Sequence, residues 1–384
     1  MPQTVTARRL LTSVGSIEYP VITLTSDGLI EDISSDPSTR SQDILSSPFL
    51  DIHTHGCAHH DAMEGTPEAF AAINQFLATK GVGRYLPTTV TAPIDLTLRS
   101  LEGIANSIES PATPGHATPI GIHLEGPFIS HAKRGVHPPA EIQPPSIELF
   151  DRFHAAARGH IRLITIAPEI PGALDLIQHC VSLGIRVSLG HSNASKPETL
   201  AALDAGATSA THTFNAMRPL DHREPGILGT VLDDNRLFAE LICDGIHVMP
   251  ELVRLWLKAK GEARAILVTD SMSATGMPDG TYSLGNLTVQ VAHETCLLVE
   301  DGVPTTTLAG SVLTMDRAVA NLQRFTGATL STALNLAAHN PAALLDLPNP
   351  LARGQPASFN RFSQEGHLTA VMLLGRELGV ASIS

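Results

Sequence analysis

Aromatic residues make up only 4% of this 384-residue chain, with a single tryptophan and three tyrosines. Its core must therefore be built mostly from Leu, Ile, Val and Ala. Cysteine is scarce as well: Cys57, Cys180, Cys243 and Cys296 stand far apart, with no CxxC pair. That argues against a disulfide framework or a zinc–thiolate knuckle and for a reducing compartment. No apolar run approaches the roughly 20 residues of a membrane helix. Arg8-Arg9 leads into only Leu10-Leu11, too short for a secretory leader. The expectation is a soluble, cytoplasmic protein with no membrane partner. Basic clusters are also missing. Acids outnumber bases 38 to 25, a formal charge of −13, so no nucleic-acid face is expected. Any anionic ligand must be captured by a local basic group.

Charged residues are 16% of the chain and hydrophobic residues 43%, which rules out a disordered chain. Residues 1–48 show short alternating pieces such as Val21-Ile-Thr-Leu-Thr25, broken by Asp27-Gly28 and a Ser/Pro/Asp-rich stretch, and read as small β-structure. From residue 49 apolar runs alternate with helical stretches. The runs are 49–52, 84–87, 120–124, 161–166, 185–189, 209–213, 237–242 and 265–269. Helix starts are marked by Thr66-Pro67-Glu68, by the Ser195/Glu198 spacing of a capping box and by Pro250; Gly81, Gly184 and Gly206 mark ends. Eight consecutive βα units with no GxGxxG turn predict an α/β fold of the (β/α)8 TIM-barrel type rather than an open doubly wound sheet. Helical stretches at 311–325 and 329–346 follow, and the tail returns to short alternating segments. Residues 1–48 and 347–384 are expected to form one small β-sandwich-like domain, and residues 49–346 the catalytic barrel.

Histidine is the abundant exception, with 18 residues. On the strand map His53 and His55 end the first strand and Glu125 the third. His191 ends the fifth, His212 lies near the end of the sixth, Asp244 and His247 follow the seventh, and Asp270 ends the eighth. In a barrel these ends converge on one mouth. His53-Thr54-His55 has strand period two, so both imidazoles face one way. Imidazoles with carboxylates suit a divalent metal such as Zn²⁺. A metal-activated water can attack a carbonyl, with Asp270 placed to take its proton and pass it to a leaving group. Without the histidines, Asp270 would read as a helix N-cap.

Asp51-Ile-His-Thr-His-Gly56 resembles the opening metal motif of the amidohydrolase superfamily. His123-Leu-Glu-Gly-Pro-Phe128, Lys133-Arg-Gly-Val-His137, Gly190-His-Ser-Asn193 and Thr211-His-Thr-Phe-Asn-Ala-Met217 are more specific. With Arg223-Glu-Pro-Gly226, Asp244-Gly-Ile-His247 and Leu308-Ala-Gly-Ser311, in this order, they resemble the N-acetylglucosamine-6-phosphate deacetylase family from about residue 49 to about residue 346. The resemblance implies metal-dependent hydrolysis of the acetamide of N-acetyl-D-glucosamine 6-phosphate to glucosamine 6-phosphate and acetate. It implies Glu125, His191 and His212 as metal ligands and Asp270 as general base and acid. His137 would polarise the carbonyl and His247 contact a sugar hydroxyl. Asn215, the Ala216 backbone and Arg223 would hold the phosphate, and Val136, Leu308, Ala309 and Gly310 would line the site. Arg223 would reach the neighbouring active site of a homodimer.

Some members of that family lack the HxH pair and use one metal; His53 and His55 raise the expectation to one or two ions per chain. The ion is expected to be Zn²⁺, with Fe²⁺, Co²⁺ and Mn²⁺ as alternatives. Gly354-Gln-Pro-Ala-Ser-Phe-Asn360 departs from the family's pattern, at a turn of the small β-domain. Taken alone, Arg223 reads as a solvated charge beside Glu224, His137 as a surface histidine and Asn215 as a turn residue. Cys57 and Met217 read as packing, and His59 and His60 as solvent-facing. Two other readings remain: a related amidohydrolase with another N-acyl substrate, and a non-catalytic sugar-phosphate-binding homologue.

Overall fold

The computed structural model of the protein describes residues 3–379; residues 380–384, the end of the expected small domain, lie outside the described residues. The polypeptide folds around eight parallel strands: β1 (Phe49–Thr54), β2 (Val82–Thr89), β3 (Ile122–Glu125), β4 (Ile161–Ile166), β5 (Arg186–Leu189), β6 (Ser209–Ala210), β7 (Phe238–Ile242) and β8 (Ala265–Val268). Each pairs in parallel with the next in the chain. Between β8 and β1 the ring is drawn together at the carboxyl ends of the strands. There the Asp270 N–H donates to the His53 carbonyl at 2.8 Å, and Thr54 and Ser271 form a parallel bridge. The strands are almost wholly buried, which is why they read as near-continuous apolar runs rather than alternating ones.

Helices return the chain between strands, and their ends follow local chemistry. In Pro67–Thr79 the Thr66 side chain accepts the Ala69 N–H, proline occupies the first turn, and Phe70, Ile73 and Leu77 face the barrel. In Lys196–Asp204, Ser195 and Glu198 cap each other reciprocally. Gly81, at φ 78°, lets the chain turn back into β2 where an added Cβ would lie 2.8 Å from Phe49 and from Asn360. No helix of the described residues is long and apolar enough to cross a membrane.

Two features depart from the pattern read from sequence. The sixth strand stops at Ala210 rather than at 213, because His212, at φ 26°, leaves extended conformation. The segment between Asp270 and Ser311 folds into a four-stranded antiparallel sheet, Gly280–Leu284, Leu287–Ala292, Thr295–Glu300 and Val303–Leu308. Its turn at Asp301-Gly302 has φ of 50° and 78°, the conformation that an Asp-Gly hairpin adopts.

The two chain ends meet in one sheet. Its strand order is Arg376–Gly379, Leu368–Leu373, Phe359–Phe362, Ile44–Ser46, Arg9–Thr12 and Gly15–Glu18. Phe359–Phe362 runs antiparallel to Ile44–Ser46. A three-stranded sheet, Gln3–Thr6, Pro20–Leu24 and Ile30–Ser35, packs against it across Leu10, Ile22, Leu24, Leu45 and Phe359. Phe359 is 2% exposed at the join of the two ends. Phe359→Ala should therefore cost about 3–5 kcal/mol of stability, read by urea unfolding. A loss below about 0.5 kcal/mol, the range of surface substitutions, would show that this sheet is not a packed unit.

Candidate metal-dependent active site

The carboxyl ends of the strands gather a buried cluster of imidazoles and carboxylates. His53 closes β1 with His55 just beyond it, Glu125 ends β3, and His191, His212 and Asp270 each sit two residues past β5, β6 and β8. Glu125 divides its oxygens between two sets of ligand atoms. Its Oε2 lies 3.4 Å from His53 Nε2 and 3.3 Å from His55 Nε2. Its Oε1 lies 3.4 Å from His191 Nε2 and 3.1 Å from His212 Nε2. Asp270 Oδ1 completes the first set, 3.1 Å from His55 Nε2 and 3.6 Å from His53 Nε2. His53, His55 and Asp270 form one group able to hold an ion; Glu125, His191 and His212 form the other.

The hydrogen bonds behind these side chains select the nitrogens that face inward. His55 Nδ1–H donates to the Thr88 carbonyl at 3.1 Å, and His191 Nδ1–H to the Lys133 carbonyl at 2.9 Å. His53 Nδ1–H donates to Glu240 Oε2 at 3.3 Å. Each of these imidazoles thus turns a bare Nε2 to the centre, the arrangement expected of metal-ligating histidines. His191 Nε2 and His212 Nε2 lie 3.1 Å apart, and buried His53 Nε2 has no hydrogen-bond partner. Lone pairs packed so closely against carboxylates require a cation, and the donor set of imidazole and carboxylate suits a divalent metal.

Charge shifts within the cluster show how strongly its carboxylates draw positive charge. Burial alone would depress His53 and His55, but the carboxylates of Glu125 and Asp270 override it, holding His53 well above its ordinary value and His55 at about 9. Burial would raise Glu125 and Asp270, yet His53 foremost holds both well below the usual carboxylate range. His137 behaves oppositely: burial, then the neighbouring His191, pushes it well below its ordinary value. Its Nδ1 accepts from the Thr91 hydroxyl at 2.7 Å and from the Thr91 N–H at 3.2 Å. The neutral ring therefore carries its proton on Nε2, 4.0 Å from Glu125, ready to donate into the site.

Above the cluster opens a cavity of about 280 Å³ lined by His55, Glu125, Val136, His137, His191, His212, Asn215, Ala216, His247, Asp270, Leu308 and Gly310. His247 is held by Asp244, whose Oδ2 accepts its Nδ1–H at 2.6 Å and whose Oδ1 accepts its backbone N–H. Three expected residues do not line this cavity, although His53 belongs to the ligand cluster below it. His53 is fully buried beneath the floor. Ala309 is buried, donating its N–H to the Cys296 carbonyl. Arg223 sits on an exposed loop and is not among the residues lining this chain's cavity. His59 is exposed, and His60 bonds Glu64 at 3.2 Å.

Other contributors went unread in the sequence. Glu240, inside β7 and wholly buried, orients His53 and accepts the His212 N–H at 3.3 Å; its one signal was a lone acid within an apolar run. Asp51 accepts the Thr269 hydroxyl at 2.6 Å. Leu284, Thr306 and Thr307 bring the antiparallel sheet to the cavity wall.

The chain matches the amidohydrolase family over residues 47–378. It is 37% identical over 359 residues to the N-acetylgalactosamine-6-phosphate deacetylase of Escherichia coli O157:H7, with 93% of each chain covered. It is 34% identical over 336 residues to the N-acetylglucosamine-6-phosphate deacetylase of Bacillus subtilis (strain 168), covering 87% of this chain and 83% of that one. Among solved structures it resembles an Asp-to-Ala variant of the Mycobacterium smegmatis N-acetyl-D-glucosamine-6-phosphate deacetylase in complex with N-acetyl-D-glucosamine-6-phosphate. The TM-score is 0.91 at 32% identity, over 98% of this chain and 99% of that one. The Thermotoga maritima N-acetylglucosamine-6-phosphate deacetylase gives a TM-score of 0.88 at 31% identity, over 99% and 100%.

Two ligand groups sharing Glu125 generate a stoichiometric prediction. Replacing His53 and His55 together by Ala should lower the metal content by one equivalent while leaving an ion at Glu125, His191 and His212, measured by elemental analysis after dialysis. An unchanged ratio would remove the pair from the ligand set.

Proposed function

Because the chain belongs to the amidohydrolase family, we propose that it hydrolyses the acetamide of N-acetyl-D-glucosamine 6-phosphate to D-glucosamine 6-phosphate and acetate. The observation that carries this reading is Glu125, its two oxygens facing separate ligand sets on the floor of a cavity that also holds Asp270 and His137. Glu125, His191 and His212 would hold one divalent cation, and His53, His55 and Asp270 a second. Zn²⁺ fits the donor set best, with Fe²⁺, Co²⁺ and Mn²⁺ as alternatives. When bound, such an ion acidifies water and polarises a carbonyl.

The chain's own residues account for the proton movements. Asp270, buried and held ionised, accepts the proton of the attacking water and delivers it to the departing nitrogen, so that water and amide become acetate and amine. His137 donates from Nε2 to the acetamide oxygen as negative charge builds there. His247, fixed by Asp244, contacts a sugar hydroxyl. Asn215, the Ala216 backbone and a guanidinium receive the phosphate. Arg223, exposed on its loop, suits the site of a second copy of the chain, which makes the working unit a homodimer. Four free, buried thiols support a reducing compartment, the cytoplasm. A second substrate, the galactosamine epimer, is favoured by the 37% identity to the E. coli enzyme.

The direct test is acetate release from each phosphorylated epimer before and after chelation. Release that persists unchanged in a verified metal-free preparation would falsify the metal-dependent mechanism, and no release from either sugar would overturn the deacetylase reading. Asp270→Asn should lower kcat by at least the ~10²–10⁴-fold typical of lost acid–base catalysis, with substrate binding retained.

Arg223→Ala should raise KM for the phosphorylated sugar by about 10- to 150-fold, the equivalent of a charge-assisted bond, and leave the unphosphorylated sugar nearly unaffected. Mixed dimers of Arg223→Ala and Asp270→Asn subunits should recover partial activity, since one mouth then holds its own Asp270 and borrows the partner's arginine. No recovery in a verified mixed dimer would assign Arg223 to its own subunit's site.

A further inference from the structure

The opposite end of the barrel carries a second cavity, of about 240 Å³, where the starts of β1 and β2 meet the chain-end sheet. Pro48 and Gly83 come from the barrel, His116 and Thr118 from the connection into β3, Asn349 and Gln355 from the linker, and Ser358 and Leu373 from the end sheet. Its titratable lining groups are Arg84 and His116, and among the described residues no carboxylate lines it. That is notable in a chain with a formal charge of −13.

Arg84 is unlike the exposed arginines of the surface. Burial lowers its pKa, and the charge next felt is Arg162, another cation. Arg162 lies over Gly121, whose added Cβ would stand 2.6 Å from the Arg162 side chain. Arg376 packs over Gly115, the neighbour of His116, where an added Cβ would stand 2.9 Å from its side chain. Among the described residues none of the three guanidinium groups forms an ion pair. His116 Nδ1–H donates to the Pro114 carbonyl at 3.4 Å, which leaves its Nε2 free. A partly desolvated guanidinium facing only like charge is costly, and an anion would satisfy it.

We propose that this cavity binds a small phosphate-bearing anion, inorganic phosphate or a short phosphate ester, clamping the barrel to the chain-end sheet. Arg84 supplies the charged fork, Arg162 and Arg376 add positive potential nearby, and Thr118, Asn349, Gln355 and Ser358 offer neutral hydrogen-bond donors.

The test is equilibrium dialysis of the full-length protein with radiolabelled inorganic phosphate. The wild type should show two classes of site, one at the catalytic mouth and one here. Arg84→Gln should weaken one class by about 10-fold or more with kcat/KM unchanged, and should abolish a phosphate-induced rise in Tm. Arg162→Gln, at an exposed position, should weaken the same class several-fold. Arg223→Ala should affect only the other class. If that variant has no effect while Arg84→Gln removes a class, the phosphate role given to Arg223 fails and this proposal stands. A single class that disappears with Arg223→Ala, or two classes unmoved by Arg84→Gln and Arg162→Gln, overturns it.

Discussion

A single buried carboxylate organises the catalytic end of this protein. Glu125 is 3% exposed, and a charge so placed must be compensated. Compensation comes from four imidazoles on three strands, two for each oxygen. Three of those rings have their own support at the opposite nitrogen, whereas the buried His212 Nδ1 has none among the described residues. The Thr88 and Lys133 carbonyls and the Glu240 carboxylate supply it. The requirement propagates outward: Glu240 must itself be buried in β7 and must also take the His212 N–H. The polar interior of the barrel mouth follows from one acid that cannot stand alone.

The same geometry explains why His137 differs from its neighbours. His53 and His55, between Glu125 and Asp270, gain basicity, whereas His137 is buried beside His191 and accepts from Thr91 through its rear nitrogen. Its neutrality is thus set by burial and by the neighbouring His191, and Thr91 fixes which nitrogen carries the proton. One residue type serves as ligand or as hydrogen-bond donor according to what stands behind the ring.

The barrel strands were legible because burial on both faces leaves uninterrupted Ile, Leu and Val runs. His53 and His55 were legible because strand period two is visible in three letters. Glu240 was not, since a lone acid inside an apolar strand gains meaning only when β7 stands opposite β1. The antiparallel sheet over 280–308 was missed for another reason. Its strands are half-exposed and threonine-rich, so their apolar signal is weak, and the Asp301-Gly302 turn was the one strong local mark. Arg223, Asn215 and Ala216 carried no pattern of their own and were readable only through resemblance. Arg84 gave no signal at all, because its significance lies in the absence of an acid, which no sequence window displays.

Barrel closure and chemistry coincide at Asp270. Its N–H donates to the His53 carbonyl, and its own carbonyl accepts the Ser311 N–H, so the backbone that seals β8 against β1 also aims the carboxylate. The residue takes φ 50°, and His191 and His212 take 47° and 26°, a region costly for side chains other than glycine. Three residues of the candidate site therefore leave extended conformation just past their strands, and the hydrogen bonds around Asp270 hold that geometry. A strand continuing in regular conformation would send alternate side chains to opposite faces. Turning the backbone at these points frees the chain from that alternation, and groups from separate strands reach the same few ångströms.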